Sequence, residues 1–222
     1  MKCAVITPVG PAHSLIFNDA QESIWIAKTL SKGPFEDVYH IRCDDTKGAL
    51  GRSQARNEGI QAAHEHGCEW LFFLDADDLL DVEAFDKVAG LVEEYDGIWG
   101  EIWTMEGRRP GQLWPFTKDM LYTDSPMVTL QMGFFVRTSL MLKEPWDTSI
   151  DCTEDFELFF RLWEAGKCCK IPERLFVHRS GMHSQGPRSA TGRDWCERMP
   201  QTMLNARRSA GRDERTGVLT AG

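Results

Sequence analysis

Four segments carry residues whose types and spacing can do chemistry. Residues 71–78 read Leu-Phe-Phe-Leu-Asp-Ala-Asp-Asp, an apolar run that ends in Asp75, Asp77 and Asp78. Like charges so close repel unless a cation neutralises them. Hard oxygen ligands suit Mg2+ or Mn2+, above all when substrate phosphates complete the shell. The competing reading is a solvated acidic loop that also caps the next helix. Residues 153–158, Thr-Glu-Asp-Phe-Glu-Leu, put Glu154 and Asp155 at a helix start. The helix macrodipole alone favours acids there; the alternative is that one of them is a general base. Residues 51–59, Gly-Arg-Ser-Gln-Ala-Arg-Asn-Glu-Gly, bring Arg52 and Arg56 to a helix start that can receive phosphate. Finally, residues 171–178 end in His178, which is either a metal ligand or an ordinary core or surface histidine.

These residues need elements to hold them. Residues 4–9 form a short apolar run closed by Gly10-Pro11, which predicts a buried strand. Phe17, Ala20, Ile24, Ala27 and Leu30 recur at helical spacing and stop at Gly33-Pro34. A second strand is expected over 38–42. Ser53 is the candidate cap of a helix carrying Ala55, Ile60 and Ala63 and ending at Gly67. Residues 70–74 are wholly apolar, as a parallel strand buried on both faces should be. A helix over 82–95, with Phe85, Val88, Ala89 and Val92 on one face, strands over 97–104 and 133–136, a helix over 151–166 and a strand near 175–178 follow. Residues 105–125 lack a period and read as loop. Trp114, Pro115 and Phe116 there suit either sugar stacking or core packing. An amphipathic helix around 195–204, broken by Pro200, closes the reading. Alternating strands and helices imply an α/β sheet with a parallel half, and place the loops at 7–10, 44–51 and 75–78 along one edge, where ligands bind in such sheets.

Composition narrows the function classes. The 222 residues fit one domain with a tail, and 42% hydrophobic residues exclude wholesale disorder. The formal net charge of −9 argues against a general nucleic-acid binder. The end of the chain runs the other way, with seven arginines against four acids from Pro187 onward. A body over 1–186 and a basic tail over 187–222, partly helical or disordered, is the expected division. No apolar run approaches a membrane span and no signal peptide is evident, so a soluble, cytoplasmic chain is expected. Seven cysteines with no Cys-x-x-Cys pair form neither a disulfide framework nor a zinc site.

Taken in order, the four segments resemble the inverting glycosyltransferases of family 2, which have the GT-A fold. Ala55-Arg56-Asn57-Glu58-Gly59 is similar to that family's Ala-Arg-Asn-x-Gly helix start. Phe73-Leu74-Asp75-Ala76-Asp77-Asp78 resembles its metal-binding Asp-x-Asp segment. Pro145-Trp146-Asp147 followed by Thr153 to Leu158 resembles the acceptor-side segment with the catalytic aspartate, and His178 its metal-binding histidine. The resemblance implies a single GT-A-like α/β domain whose mixed, mostly parallel sheet is flanked by helices. Its nucleotide-binding half is shortened, because between the first helix and the Ala-Arg-Asn segment only one strand fits, over 38–42, where the family usually has two strand–helix units.

The resemblance also implies a role for each residue. Asp77, His178 and Asp75 would hold Mn2+ or Mg2+, with His183, five residues downstream, the fallback to His178. Thr7, Pro8, Val9, Asp45, Arg52, Arg56, Asp75 and Ala76 would bind a nucleotide-diphosphate sugar, with a UDP-sugar the first choice. Asp44 or Asp45 would recognise the base. Asp155 would be the base for the acceptor hydroxyl, with Glu154 second choice. Two alternatives keep the fold: a non-catalytic nucleotide-sugar-binding module, which should have lost a carboxylate, and a nucleotidyltransferase, which needs a Gly-rich basic loop after the first strand. Residues 9–13, Val-Gly-Pro-Ala-His, lack that loop.

Overall fold

β1 (Lys2–Val9) divides the core in two. Successive strand residues point to opposite faces; Ala4 and Ile6 enter one hydrophobic cluster, and Cys3, Val5 and Val9 the other. The computed structural model describes residues 1–123, 129–179, 190 and 192–211. After β1 come a 3-10 turn (His13–Leu15), α1 (Phe17–Leu30), β2 (Asp37–Asp44), α2 (Arg52–Glu65), β3 (Trp70–Phe73), β4 (Leu79–Leu80) and α3 (Ala84–Lys87). Then follow β5 (Gly97–Thr104), β6 (Gly107–Arg108), α4 (Met120–Thr123), β7 (Phe134–Arg137), α5 (Thr138–Lys143), α6 (Glu154–Ala165), β8 (Cys168–His178) and α7 (Gly192–Ser209).

The strands form one mixed sheet in the order β2-β1-β3-β7-β5-β8-β4, with β6 hairpinned onto β5. β2, β1 and β3 are parallel, β7 runs against both β3 and β5, and β8 is parallel to β5. On one face, α1 and α3 bury Phe17, Ile24 and Phe85. On the other, α2, α5 and α6 bury Ile60, Met141, Phe159 and Trp163. Gly59 belongs to that second layer for a steric reason. A Cβ there would lie 2.7 Å from both Ile6 Cγ2 and Cys43 Sγ, so only glycine lets α2 sit this close to β1 and β2.

Several expectations meet corrections. α3 has four residues, and 88–94 continue as turns rather than as a helix over 82–95. Ala89 is exposed, while Phe85, Val88 and Val92 stay buried. Ser53 does not cap α2. Gly51 occupies that position with φ +80°, a conformation glycine adopts without strain. β8 begins seven residues before the expected strand and accommodates Pro172 at a register shift against β5, where proline is tolerated. α7 runs through Pro200, which is exposed. The cysteines are unpaired, and Cys3, Cys43, Cys68 and Cys152 are buried. No helix among the described residues is long and apolar enough to cross a membrane.

Candidate active site

β3 ends at Phe73, and the chain turns at once through the acidic triplet. One oxygen each from Asp75, Asp77 and Asp78 falls within 4.8 Å of the others. Asp77 and Asp78 are buried, whereas Asp75 is partly open. Burial, then Asp78 and Asp75, push the Asp77 carboxyl up to about 8. Burial also raises Asp78, against the pull of His178. Asp78 Oδ1 accepts from the Arg179 N–H at 2.9 Å and lies 3.1 Å from His178 Nδ1. Arg179 fastens the same loop, donating to the Asp77 carbonyl and reaching Asp19 Oδ2 at 2.6 Å. An all-oxygen donor set in which two carboxyls bind protons more tightly than usual matches what a hard divalent cation would relieve.

Asp75 behaves differently because of α2. Burial raises its carboxyl, but Arg56, 2.7 Å from its Oδ1, holds it below the usual value. Arg56 is buried and lies over the Trp146 ring, with its guanidinium 4.5 Å from the centroid. Its other terminal nitrogen is 3.5 Å from Glu154 Oε1, and Arg52 reaches the same oxygen at 3.3 Å. The next residue, Asn57, exchanges two hydrogen bonds with the Trp146 backbone, at 2.9 and 3.0 Å. The Arg-Asn pair therefore ties the acidic loop after β3 to the start of α6.

At that start, Glu154 and Asp155 are both buried, but only Glu154 is held by arginines. Asp155 Oδ1 accepts from its neighbour's Phe156 N–H at 2.8 Å. Burial and the Glu154 charge drive the Asp155 carboxyl well above its ordinary value, with Arg56 opposing. The preceding residue, Thr153, has φ +66°. A β-branched residue held there costs of order 1–3 kcal/mol, and such strain gathers at functional sites. Around Arg56, four buried polar atoms have no partner among the described residues: Ser53 Oγ, Arg56 Nε, Trp146 Nε1 and Glu154 Oε2. Buried polar atoms are normally satisfied by protein, water or ligand.

The structure brings together Asp75, Asp77, Arg52, Arg56, Glu154 and Asp155, and sets His178 beside them through Asp78. Thr7, Pro8 and Val9 lie inside β1 and are buried; the Thr7 hydroxyl is 3.2 Å from His40 Nε2. They form the floor of the sheet edge, not an open loop. Ala76 is fully buried. Asp45 spends both carboxylate oxygens on the backbone N–H groups of Leu50 and Gly51, at 2.9 and 2.8 Å, and so fixes the entry to α2. Phe116 is core, edge-on to Trp163, whereas Trp114 is about half exposed. His183, considered as the fallback ligand to His178, lies outside the described residues. Sequence reasoning named Asp78 in the triplet but did not count it among the ligands. It missed Asn57, Thr153, Arg179 and His13; the last is buried close enough to Asp75 to help lower its carboxyl.

With the geometry in place, known proteins supply a context. The family described as Glycosyl transferase family 2 matches residues 14–148, more than half of the chain. The chain belongs to glycosyl transferase family 2. Among solved structures, a 1–349 fragment of S. aureus TarS in complex with UDP-GlcNAc is similar over 91% of this chain and 65% of its own, at 15% identity and TM-score 0.63. Against a longer TarS chain, the match covers only 39% of that protein. Glucosyl-3-phosphoglycerate synthase from Mycobacterium tuberculosis, solved with Mn2+, UDP-glucose and phosphoglyceric acid, matches over 92% of this chain and 79% of its own, at 12% identity and TM-score 0.54. Mannosyl-3-phosphoglycerate synthase from Rubrobacter xylanophilus matches over 97% and 77%, at 13% identity and TM-score 0.55. No curated protein sequence matches. At these identities the likeness establishes the family's GT-A fold, with its curled, mixed sheet flanked by helices.

Proposed function

We propose that this chain transfers a sugar from a nucleoside-diphosphate sugar, with a UDP-sugar as donor, to an acceptor hydroxyl, with inversion at the anomeric carbon. Mn2+ or Mg2+ would sit at the acidic loop. The observation that carries the reading is the bridge made by Arg56. It joins a carboxylate cluster fit for a hard cation to an acidic pair of which only Glu154 has its charge matched by arginine. The UDP-sugars in the TarS and glucosyl-3-phosphoglycerate synthase structures support the choice of donor.

Asp75 and Asp77 would be the first ligands, Asp78 would be available as a third, and His178 would orient Asp78 or join the set. The chemistry such a cation would supply is to offset the charge that grows on the leaving diphosphate. Everything else falls to the chain. Arg52, partly exposed, can approach a phosphate oxygen while Arg56 stays buried. Asp155 takes the proton from the acceptor hydroxyl as that oxygen bonds to the anomeric carbon. The bond to the diphosphate oxygen breaks, and its electron pair leaves with the nucleoside diphosphate. Attack from the face opposite the leaving group inverts the centre. A carboxylate with raised proton affinity is a stronger base than an ordinary one, which suits Asp155 to the task. Asp45 holds the loop that frames the nucleoside end, above the floor formed by Thr7, Pro8, Val9 and Ala76.

Calorimetric titration of UDP, with and without Mn2+, tests the reading on the parent and on Asp77→Asn. Metal-dependent binding by the parent and its loss in the variant are expected. Equal affinity in both, or binding indifferent to metal, contradicts the site.

A further inference from the structure

α7 meets the start of α6 through a side-chain hydrogen bond. It packs along α6, with Trp195 edge-on to Phe156 at 5.7 Å between ring centroids, and with Met199 buried. Near its C-terminal end, Arg207 donates to the Tyr122 carbonyl. Between these anchors, Thr202 Oγ1 lies 2.7 Å from Thr153 Oγ1. Thr153 is the residue immediately before Glu154 and Asp155, and it is buried in the left-handed region that β-branched side chains avoid.

The direction of this bond follows from counting protons. Thr153 Oγ1 is also 2.5 Å from the Cys152 carbonyl, and Thr202 Oγ1 is 3.4 Å from the Arg198 carbonyl. Each hydroxyl has one proton to give. The short contact to Cys152 takes the Thr153 proton, so Thr202 donates to Thr153. The opposite chain would rely on the 3.4 Å contact, near the limit for a hydrogen bond. The placement of Asp155 depends on this arrangement. The hydrogen bond its carboxylate accepts comes from its own helix, so the backbone at residue 153 sets where it points.

We infer that Thr202 is a positioning residue for the transfer reaction. Its hydroxyl, delivered by α7, holds Thr153 in the left-handed conformation from which α6 starts, and thereby aims Asp155 and Glu154. The inference rests on the transferase reading for its effect on rate, but the hold itself is measurable without turnover.

The test uses the full chain and four variants: Thr202→Val, Thr202→Ser, Thr153→Gly, and the Thr153→Gly/Thr202→Val double. Valine keeps the shape of threonine without the hydroxyl; glycine adopts positive φ without strain. Hydrolysis of UDP-glucose or UDP-GlcNAc, with water as acceptor, gives kcat and KM. UDP titration gives nucleotide affinity, and melting gives Tm. Thr202→Val should lower kcat about 10-fold, within the range that a small misplacement produces, and leave KM and UDP affinity within about twofold. It should lower Tm by about 2–4 °C. Thr202→Ser should restore both. Once Thr153 is glycine, Thr202→Val should change kcat and Tm little, so the pair is non-additive. Parent-like kcat in Thr202→Val, failure of serine to restore it, or additive effects in the double variant would overturn the inference. A parent that neither binds UDP nor cleaves a UDP-sugar would overturn the transferase reading instead, and the Tm cycle would still decide whether Thr202 holds Thr153.

Discussion

The loop after β3 and the start of α6 are both buried acidic clusters, yet they are compensated in opposite ways. At Asp75-Ala76-Asp77-Asp78, the outer members have partners: Arg56 for Asp75, and His178 with the Arg179 N–H for Asp78. Asp77 lies between them, and its burial first, then the charges of Asp78 and Asp75, push its carboxyl up to about 8. Three carboxylate oxygens lie within 4.8 Å of one another, and in the proposed reading a cation would supply the balancing charge. At Glu154-Asp155, the two carboxylates are adjacent on a helix and therefore diverge by about 100°. Arg52 and Arg56 take one of them and leave the other with raised proton affinity. What is missing there is a proton. In the proposed reading the convergent acids would hold a cation and Asp155 would serve as the base, and the single guanidinium of Arg56 touches both clusters.

Removing that guanidinium is the most damaging way to break the comparison. Arg56→Met leaves Asp75 and Glu154 buried without their shared partner. Loss of one member of a buried ion pair costs about 3–5 kcal/mol, and urea unfolding should show a loss of that size with both acidic clusters affected. A smaller fall, under about 1 kcal/mol, would mean that the two clusters are independent. Asp77→Asn acts on one side only. Loss of an outer-shell partner already weakens metal binding about 10–100-fold, so loss of this ligand should exceed about 100-fold by Mn2+ titration, with a melting temperature in the absence of metal no lower than the parent's, because the variant no longer ionises a buried acid. His178→Ala should weaken Mn2+ about 10-fold, because the imidazole reaches the cluster through Asp78; an effect as large as that of Asp77→Asn would make it a direct ligand.

The smallest effect sharpens the comparison through pH. The folded-state pKa of Asp155 lies above its unfolded value, so the folded chain binds this proton more tightly. That contribution to stability is complete below about pH 4, the ordinary aspartate range, and is lost as pH rises toward the folded value. Asp155→Asn removes the cost of ionising a buried acid. The variant should therefore be more stable than the parent at pH 8, with little difference at pH 3.5. Urea midpoints at the two pH values measure this. A variant less stable at pH 8 would mean that Asp155 is compensated in a way its surroundings do not show.

Legibility from sequence followed local determination. β1, α1, β2, α2 and β3 were readable because apolar period and glycine or proline stops agree there. The carboxylates of both clusters were readable for the same reason, since each lies within a short contiguous segment. What could not be read depends on partners distant in the chain. Asn57 holds the Trp146 backbone across 89 positions, and Arg179 meets Asp19 across 160. The expected cap at Ser53 failed because Gly51 and the Asp45 carboxylate already fix the entry to α2. The helix over 82–95 failed because an apolar period of three and four also fits a chain of turns, and after α3 the segment is held by bonds such as Leu91 N–H to the Val88 carbonyl at 2.9 Å. The strand preceding Leu175 was obscured by Pro172, whose tolerance depends on a register shift with β5. Thr153 gave no signal at all, since nothing in a threonine's identity announces a positive φ.

The central claim is that Asp155 serves the acceptor while Asp77 serves the donor. The most direct test compares Asp155→Asn with the parent for UDP affinity in Mn2+ and for cleavage of a UDP-sugar in the same preparation. UDP should bind as tightly to the variant as to the parent, while turnover falls about 100-fold or more, the usual contribution of a positioned base. Turnover near that of the parent would contradict the assignment, and loss of UDP binding would place Asp155 on the donor side instead.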